Sequence, residues 1–188
     1  MLKRIEEYGK YVEISGFRNV TVADAPKFLS ILHEDLPEGV EVQLLNADLI
    51  ASWQHLYFAV LNALMAQKTK RGISKSLAVE TALYASAQRQ IKKAISTVGL
   101  KPQCRNIAAI IIGENPDATR KALYAIAQHL GAQPDEEVLK LSDAKVQRIR
   151  SAFDISDTEL EVVTTKGNPD QALVDLVIER VALLSTQL

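Results

Sequence analysis

The sequence has few of the residues from which catalytic and metal sites are usually built. Its one cysteine, Cys104, excludes an internal disulfide and any cysteine-based metal cluster, and no histidine near it in sequence suggests a nucleophile, so we expect it to pack. The three histidines, His33, His55 and His129, fall on three predicted helices without the spacing of metal ligands. We therefore predict no catalytic residues, no metal and no cofactor.

Motifs of nucleotide-binding and hydrolytic enzymes are also missing. No serine stands in a Gly-x-Ser-x-Gly elbow. The turn at 113–116 has one glycine, no lysine followed by serine or threonine, and a glutamate that would repel phosphate, so we interpret it as a plain connection. An enzyme of unknown type would need a deep pocket that gathers His55, Glu80 and Cys104.

No apolar run approaches the roughly 18 residues that would span a bilayer, and residues 1–7 carry charge without the apolar core of a secretory signal. Of the 188 residues, 47% are hydrophobic and 24% are charged, which is typical of a globular protein. We expect one domain over residues 1–188, with no membrane partner, in a reducing cytoplasm.

The spacing of apolar residues predicts an α/β (α+β) fold with about four strands and several helices. The predicted strands cover 11–17, 40–44, 106–112 and 137–141, although a helical turn fits the last of these nearly as well. The predicted helices cover 24–36, 47–67 with Asn46 as cap, 76–85, 86–98 with a left-handed stop at Gly99, 115–130, 142–153, a short one from 156, and 168–184.

Positive charge is concentrated in the middle of a chain whose net charge is only −1. Residues 68–105 contain nine basic residues against one acid, Glu80, whereas residues 134–188 contain eleven acids against six bases. The predicted helix 47–67 leads into this stretch with a face of small and polar residues: Ser52, His55, Ala59, Asn62 and Ala66. Two interpretations stay open, an RNA-binding surface with a groove for single-stranded bases, or solvated helix faces with His55 packed against backbone.

The last predicted helix is apolar over most of its circumference. One stripe contains Ala172, Leu173, Leu176, Val177, Val181 and Leu184, and it is extended by Val174, Ile178, Ala182 and Leu183. Such a helix is either central or shares a face with another molecule. We favour a shared face with a protein partner.

Four stretches together resemble the small subunit of the KEOPS complex, the TPRKB (PRPK-binding protein) family, and most of all its archaeal members. They are Asn46 to Leu56 (NADLIASWQHL), Glu80 to Ser86 (ETALYAS), Arg89 to Ile95 (RQIKKAI) closing at Gly99, and Glu179 to Leu184 (ERVALL). The resemblance implies a small mixed β-sheet flanked by helices. It also implies a non-catalytic subunit that binds the atypical kinase-like ATPase of the complex during threonylcarbamoyladenosine modification of tRNA.

The resemblance further implies that the chain holds the single-stranded CCA tail of tRNA and so positions the tRNA. The residues expected at the tRNA are Lys68, Lys70, Arg71, Lys75, Arg89, Lys93, Asn46 and His55. Those expected at the kinase are Ile178, Ala182 and Leu183. The alternative is a kinase-binding regulatory adaptor that makes no direct contact with RNA.

Overall fold

The computed structural model describes residues 1–164 and 167–187 and contains two compact units. We call Met1–Ala47 with Gly99–Val138 the sheet unit, and Asp48–Val98 with Leu139–Leu188 the helical unit. In chain order the elements are β1 (Leu2–Ile5), β2 (Lys10–Phe17), α1 (Ala25–Glu34), β3 (Glu41–Asn46), α2 (Trp53–Lys68), α3 (Leu77–Ala85), α4 (Ile91–Val98), β4 (Ile107–Gly113), α5 (Pro116–Leu130), α6 (Asp143–Phe153), α7 (Asp157–Val163) and α8 (Pro169–Leu184).

The sheet unit contains one four-stranded sheet in the order β1-β2-β4-β3. The predicted α/β (α+β) class is therefore confirmed, although every neighbouring pair is antiparallel rather than mixed in direction. All seven residues of β4 are buried because this strand is central and covered on both faces, as its unbroken apolar run predicted. Phe17, Leu44 and Ile107 belong to a core cluster that also contains Ile126 of α5.

The strand predicted at 137–141 is wrong, the helical turn left open as its alternative is confirmed, and one strand was missed. Glu136–Leu139 forms a short 3-10 helix, in which the amide of Val138 donates to the carbonyl of Asp135 at 3.2 Å. The fourth strand is Leu2–Ile5, which lies at the edge of the sheet and pairs with β2. Its two central residues are charged, as edge strands tolerate, so it lacks the apolar alternation that reveals a half-buried strand.

The bounds predicted for the helix 115–130 are confirmed by the residues that cap it. Asn115 accepts a hydrogen bond from the amide of Ala118 at 2.7 Å, and Gly131 closes α5 with φ of +61°. Asn46 does not cap α2, because it is the last residue of β3, and Ser52 caps α2 instead by accepting from the amide of His55. Asn168 begins α8 as predicted.

The predicted helix 86–98 is four to five residues too long at its start. Ser86 ends α3, where its hydroxyl donates to the carbonyl of Leu83, and α4 begins only at Ile91. Gly99 forms an isolated antiparallel bridge with Leu45 and is not a left-handed stop. The apolar spacing 91, 94, 95 and 98 predicts one buried face for this helix. The structure buries Ala94 and Val98 but leaves Ile91 and Ile95 44% and 41% exposed.

The helical unit is built around α2, against which α3 and α8 pack. A second core cluster contains Ile149 and Phe153 of α6 together with Leu173 and Val177 of α8. Within the described ranges, no helix has the length and apolar character required to cross a membrane.

Gly16→Ala should destabilise the sheet unit. A β-carbon at position 16 would lie 2.6 Å from the carbonyl oxygen of Asp135 and 2.9 Å from Cβ of Val138. Because a carbonyl cannot move aside as a flexible side chain can, we expect a loss of about 1–3 kcal/mol in the free energy of unfolding. Urea denaturation of the wild type and of Gly16→Ala measures this loss. An equal urea concentration at the midpoint of unfolding in the two proteins would contradict the close approach of Asp135 to Gly16.

Candidate functional site

The candidate site centres on residues 68–75, which we call the basic loop. Hydrogen bonds to the end of α2 fix its first half, since the amides of Arg71 and Gly72 both donate to the carbonyl of Ala66, at 2.9 and 3.1 Å. The hydroxyl of Thr69 donates to the carbonyl of Met65 at 2.8 Å. The first half of the loop therefore has a defined conformation.

The second half of the basic loop is held by a buried carboxylate. Glu80 is only 1% exposed, and its Oε2 accepts a hydrogen bond from the amide of Ser74 at 2.7 Å. The side-chain amide of Gln67 donates to the carbonyl of Lys75 at 3.2 Å, which ties this end to α2. A buried charge needs such partners, so the one acid of the basic stretch serves to order the loop.

The cations of the basic loop border two different clefts. The first, which we call the lysine cleft, has a volume of about 330 Å³ and is lined by Gln67, Lys70, Gly72, Ser74 and Lys75. The second, which we call the tyrosine cleft, has a volume of about 130 Å³ and is lined by Met65, Ala66, Thr69, Arg71, Tyr84 and Ser185. The structure thus brings Lys70 and Lys75 together and gives Arg71 different surroundings.

The six basic residues expected at tRNA are all exposed. Five of them, Lys70, Arg71, Lys75, Arg89 and Lys93, form no ion pair with any acid within residues 1–164 and 167–187. Their charges are therefore not neutralised by that part of the chain, and they create a positive potential around the loop.

Two of the basic residues lie outside the loop. Arg89 lies close enough to Tyr84 to influence it: burial and the charge of Glu80 raise the pKa of Tyr84, and the charge of Arg89 opposes that rise. Lys93 is on the exposed side of α4. Arg89 is therefore linked to the surroundings of the tyrosine cleft.

His55 is completely buried, and the expectation that it contacts RNA is wrong. Its Nδ1 accepts from the amide of Ala51 at 3.3 Å, so Nε2 carries the hydrogen and donates to the carbonyl of Ala85 at 2.8 Å. The ring of Phe153 meets it edge-on at 5.4 Å between centroids. Burial lowers the pKa of His55 to about 4, so the ring is neutral at pH 7.

The polar groove expected along the same face of α2 is not open. Ala59, Ala63 and Ala66 are fully or almost fully buried, because the small residues of α2 allow α3 and α8 to pack closely. The side-chain amide of Asn62 donates to the carbonyl of Phe58 in its own helix. The alternative interpretation of His55, a histidine packed against backbone, is confirmed.

The remaining candidates from the sequence do not belong to the basic loop. Asn46 is in the sheet unit and is partly buried, and a contact with RNA there stays a prediction. Cys104 is buried, and its sulfur accepts from the amide of Lys101 at 3.3 Å. Neither cleft is lined by His55, Glu80 or Cys104. No cluster of three potential metal ligands occurs among the described residues.

The last helix, α8, buries the stripe that its sequence predicted and leaves one edge exposed. Leu173, Val177 and Val181 are buried, whereas Ala182 is exposed and Leu183 is 39% exposed. Ile178 is partly buried against the core cluster of α6 and α8. We call Ile178, Ala182 and Leu183 the α8 edge, and these are the residues expected at the kinase.

Comparison with known proteins identifies the family. A family model described as "Kinase binding protein CGI-121" matches residues 17–185. The chain belongs to the CGI-121 family. A curated relative, "Regulatory protein Cgi121" of Methanocaldococcus jannaschii, is 34% identical over 146 residues, which cover 78% of this chain and 84% of the relative.

Membership in the CGI-121 family confirms the resemblance that the four sequence stretches indicated. The matched residues of this CGI-121 protein include the basic loop, both clefts and the α8 edge. The sequence did not predict Tyr84 as part of a cleft, because the apolar pattern around it predicts a residue buried in the core.

His55 should make the stability of the protein depend on pH. Its pKa is about 4 in the fold against an ordinary 6.5, so on acidification the unfolded chain binds the proton first. Stability is complete above pH 6.5 and falls by roughly 3 kcal/mol as the pH drops to 4.

Urea denaturation between pH 7 and pH 4 tests this, with His55→Gln as the variant and His33→Gln, at an exposed histidine, as the control. We expect a smaller loss of stability in His55→Gln than in the wild type and no such difference in His33→Gln. Equal pH dependence in all three proteins would contradict the argument.

Proposed function

We propose that this CGI-121 protein is a non-catalytic regulatory subunit of a KEOPS-type complex that modifies tRNA with threonylcarbamoyladenosine. It binds the atypical kinase-like ATPase subunit through the α8 edge and the phosphates of the single-stranded CCA tail of tRNA through the basic loop. The observation that carries the proposal is the lysine cleft, where Lys70 and Lys75 meet without an acid to neutralise them in the described ranges.

Kinase binding is supported by the family description and by the exposure of the α8 edge. An alanine and a leucine exposed side by side have no role in the core of the helical unit. Apolar residues at the centre of a protein interface contribute most of its binding energy when they are removed from water.

RNA binding is supported by the chemistry of the lysine cleft. Lysine ammonium groups bind phosphates without reading the bases, which suits a tail of constant sequence. The hydroxyl of Ser74 accepts from the amide of Ser76 at 3.2 Å, so its own hydrogen can be donated to a phosphate oxygen. The ordered backbone of the basic loop limits the entropy lost on binding.

A positioning role without chemistry agrees with the state of the candidate catalytic residues. Both ring nitrogens of His55 are hydrogen-bonded to backbone, and the carboxylate of Glu80 holds the basic loop. Holding one end of a substrate lowers the entropic cost of bringing its other end to a distant catalytic subunit. The contribution of this chain to the reaction is therefore binding energy.

Ala182→Arg should abolish binding of the kinase subunit and leave the fold intact. The side chain of Ala182 is exposed, so arginine can be accommodated in the free protein, but a partner packed there would have to bury an unpaired charge. We expect the dissociation constant to rise at least about 100-fold in isothermal titration calorimetry.

Tyr124→Arg is the matched control, because it places the same charge on an exposed apolar position of α5. Its affinity for the kinase should equal that of the wild type. Wild-type affinity in Ala182→Arg would show that the kinase binds elsewhere.

The double variant Lys70→Glu/Lys75→Glu should weaken binding of intact tRNA at least about tenfold at low salt, since two phosphate contacts become repulsive. The slope of the logarithm of the binding constant against that of the salt concentration should become shallower by about 1.4. Gel-shift titration at two salt concentrations, with tRNA and with tRNA lacking its terminal CCA, measures both effects.

Lys27→Glu/Lys121→Glu is the control for charge alone, since both lysines are exposed on the sheet unit. It should keep most of the affinity for tRNA and the preference for an intact tail. Two results together would favour the alternative, a kinase-binding adaptor that does not contact RNA. The wild type would bind tRNA with and without CCA equally, and the Lys70→Glu/Lys75→Glu protein would bind both with the same affinity as the wild type.

A further inference from the structure

The tyrosine cleft combines an apolar floor with two hydrogen-bond donors that have no acceptor in the described part of the chain. Met65 and Ala66 supply apolar surface, and Met65 is exposed, so the cleft opens to solvent. The guanidinium of Arg71 and the hydroxyl of Tyr84 make no hydrogen bond or ion pair to any residue in 1–164 and 167–187. Tyr84 is only 4% exposed as a whole residue, but no buried side-chain nitrogen or oxygen lacks a partner among the described residues, so its hydroxyl is at the part of the ring that reaches the open cleft.

The other polar groups of this cleft are already occupied. The hydroxyl of Thr69 donates to the carbonyls of Met65 and Ala66, at 2.8 and 3.3 Å. The hydroxyl of Ser185 donates to the carbonyl of Ala182 at 2.8 Å. The unused donors are therefore those of Arg71 and Tyr84. The charge of the guanidinium favours a negatively charged acceptor, and the neutral hydroxyl of Tyr84 can donate to the same group.

The size and position of the cleft restrict its occupant further. A cavity of about 150 Å³ lined by apolar groups can hold a benzene molecule, so about 130 Å³ fits one apolar side chain of medium size. Ser185 lies close in sequence to the α8 edge, two residues after Leu183 and three residues after Ala182. A protein bound to the α8 edge can continue into the tyrosine cleft.

We propose that the tyrosine cleft is part of the kinase-binding surface and takes an apolar side chain next to a carboxylate of the kinase. Arg71 and the hydroxyl of Tyr84 donate hydrogen bonds to that carboxylate, while the apolar side chain covers Met65 and Ala66. The inference depends on the proposed function, because it assumes that the kinase binds at the α8 edge. It reassigns Arg71 from RNA to protein and leaves Lys70 and Lys75 for RNA.

An apolar side chain with a carboxylate fits the cleft better than a nucleotide does. Residues such as Met65 and Ala66 cannot hydrogen-bond a ribose or a base edge, and nucleotide sites usually offer a phosphate several donors in addition to a stacking surface. Tyr84 is almost wholly buried, so its ring face is not available for a base to stack on.

Three variants of the full-length protein test the proposal, each titrated against the kinase subunit of the same organism and against intact tRNA. Tyr84→Phe removes only the hydroxyl and leaves the ring in place. Arg71→Glu reverses the charge in the tyrosine cleft, and Lys70→Glu reverses the neighbouring charge in the lysine cleft. Thermal unfolding confirms that each variant is folded.

We expect Tyr84→Phe to weaken kinase binding about tenfold and Arg71→Glu to weaken it at least about 100-fold, because each removes a partner of a desolvated carboxylate. Lys70→Glu should leave kinase affinity unchanged and reduce tRNA affinity. Tyr84→Phe should not change tRNA affinity.

Unchanged kinase affinity in both Arg71→Glu and Tyr84→Phe would overturn the proposal, and so would an effect of Arg71→Glu on tRNA alone. If Ala182→Arg still abolishes kinase binding in that case, the proposed kinase site stands without the cleft. If instead the cleft variants lose the kinase and Ala182→Arg keeps it, the cleft is supported and the α8 edge is not.

Discussion

The carboxylate of Glu80 lies almost fully buried beside the basic loop and accepts the amide hydrogen of Ser74 at 2.7 Å. A buried charge is stable only when hydrogen bonds compensate the lost hydration, so α3 and the loop must keep this arrangement together. Lys70 and Lys75 owe their shared cleft to it, because the loop between them is tied down at both ends. An ordered loop presents cations at defined positions, which unpaired lysines on a flexible segment could not do.

The same loop borders two clefts of different chemistry within a few residues. Lys70 and Lys75 line the lysine cleft together with polar groups, which suits phosphates. Arg71 lines the tyrosine cleft together with Tyr84 and apolar side chains. Arginine is better suited than lysine to a partly apolar site, because its planar guanidinium is more weakly hydrated and binds a carboxylate in two places. The order of basic residues along these eight positions thus decides which cleft Lys70, Arg71 and Lys75 border.

The interior of the helical unit explains why a histidine in a signature stretch is structural. His55 links the backbone at Ala51 to the end of α3 at Ala85, and it can do so only as the neutral ring with hydrogen on Nε2. The hydrogen bonds of this one side chain therefore hold the start of α2 and the end of α3 together. Small residues elsewhere on α2 bring α3 and α8 close, so the face that looked like a groove is an interior contact.

The sequence by itself determined the fold class, most helix boundaries, the central strand β4, the basic loop and the family. The family follows from the resemblance of four sequence stretches. The other features follow from local periodicity, capping side chains and runs of charge, which are properties of neighbouring residues. Tertiary structure alone decided that Leu2–Ile5 is the edge strand, that His55 is buried, and that Arg71 and Lys70 border different clefts. Each of these features depends on which residues distant in sequence come close in the fold. Ser185 and Tyr84, for example, line the same cleft, and no pattern within a single helix or loop predicts that they do.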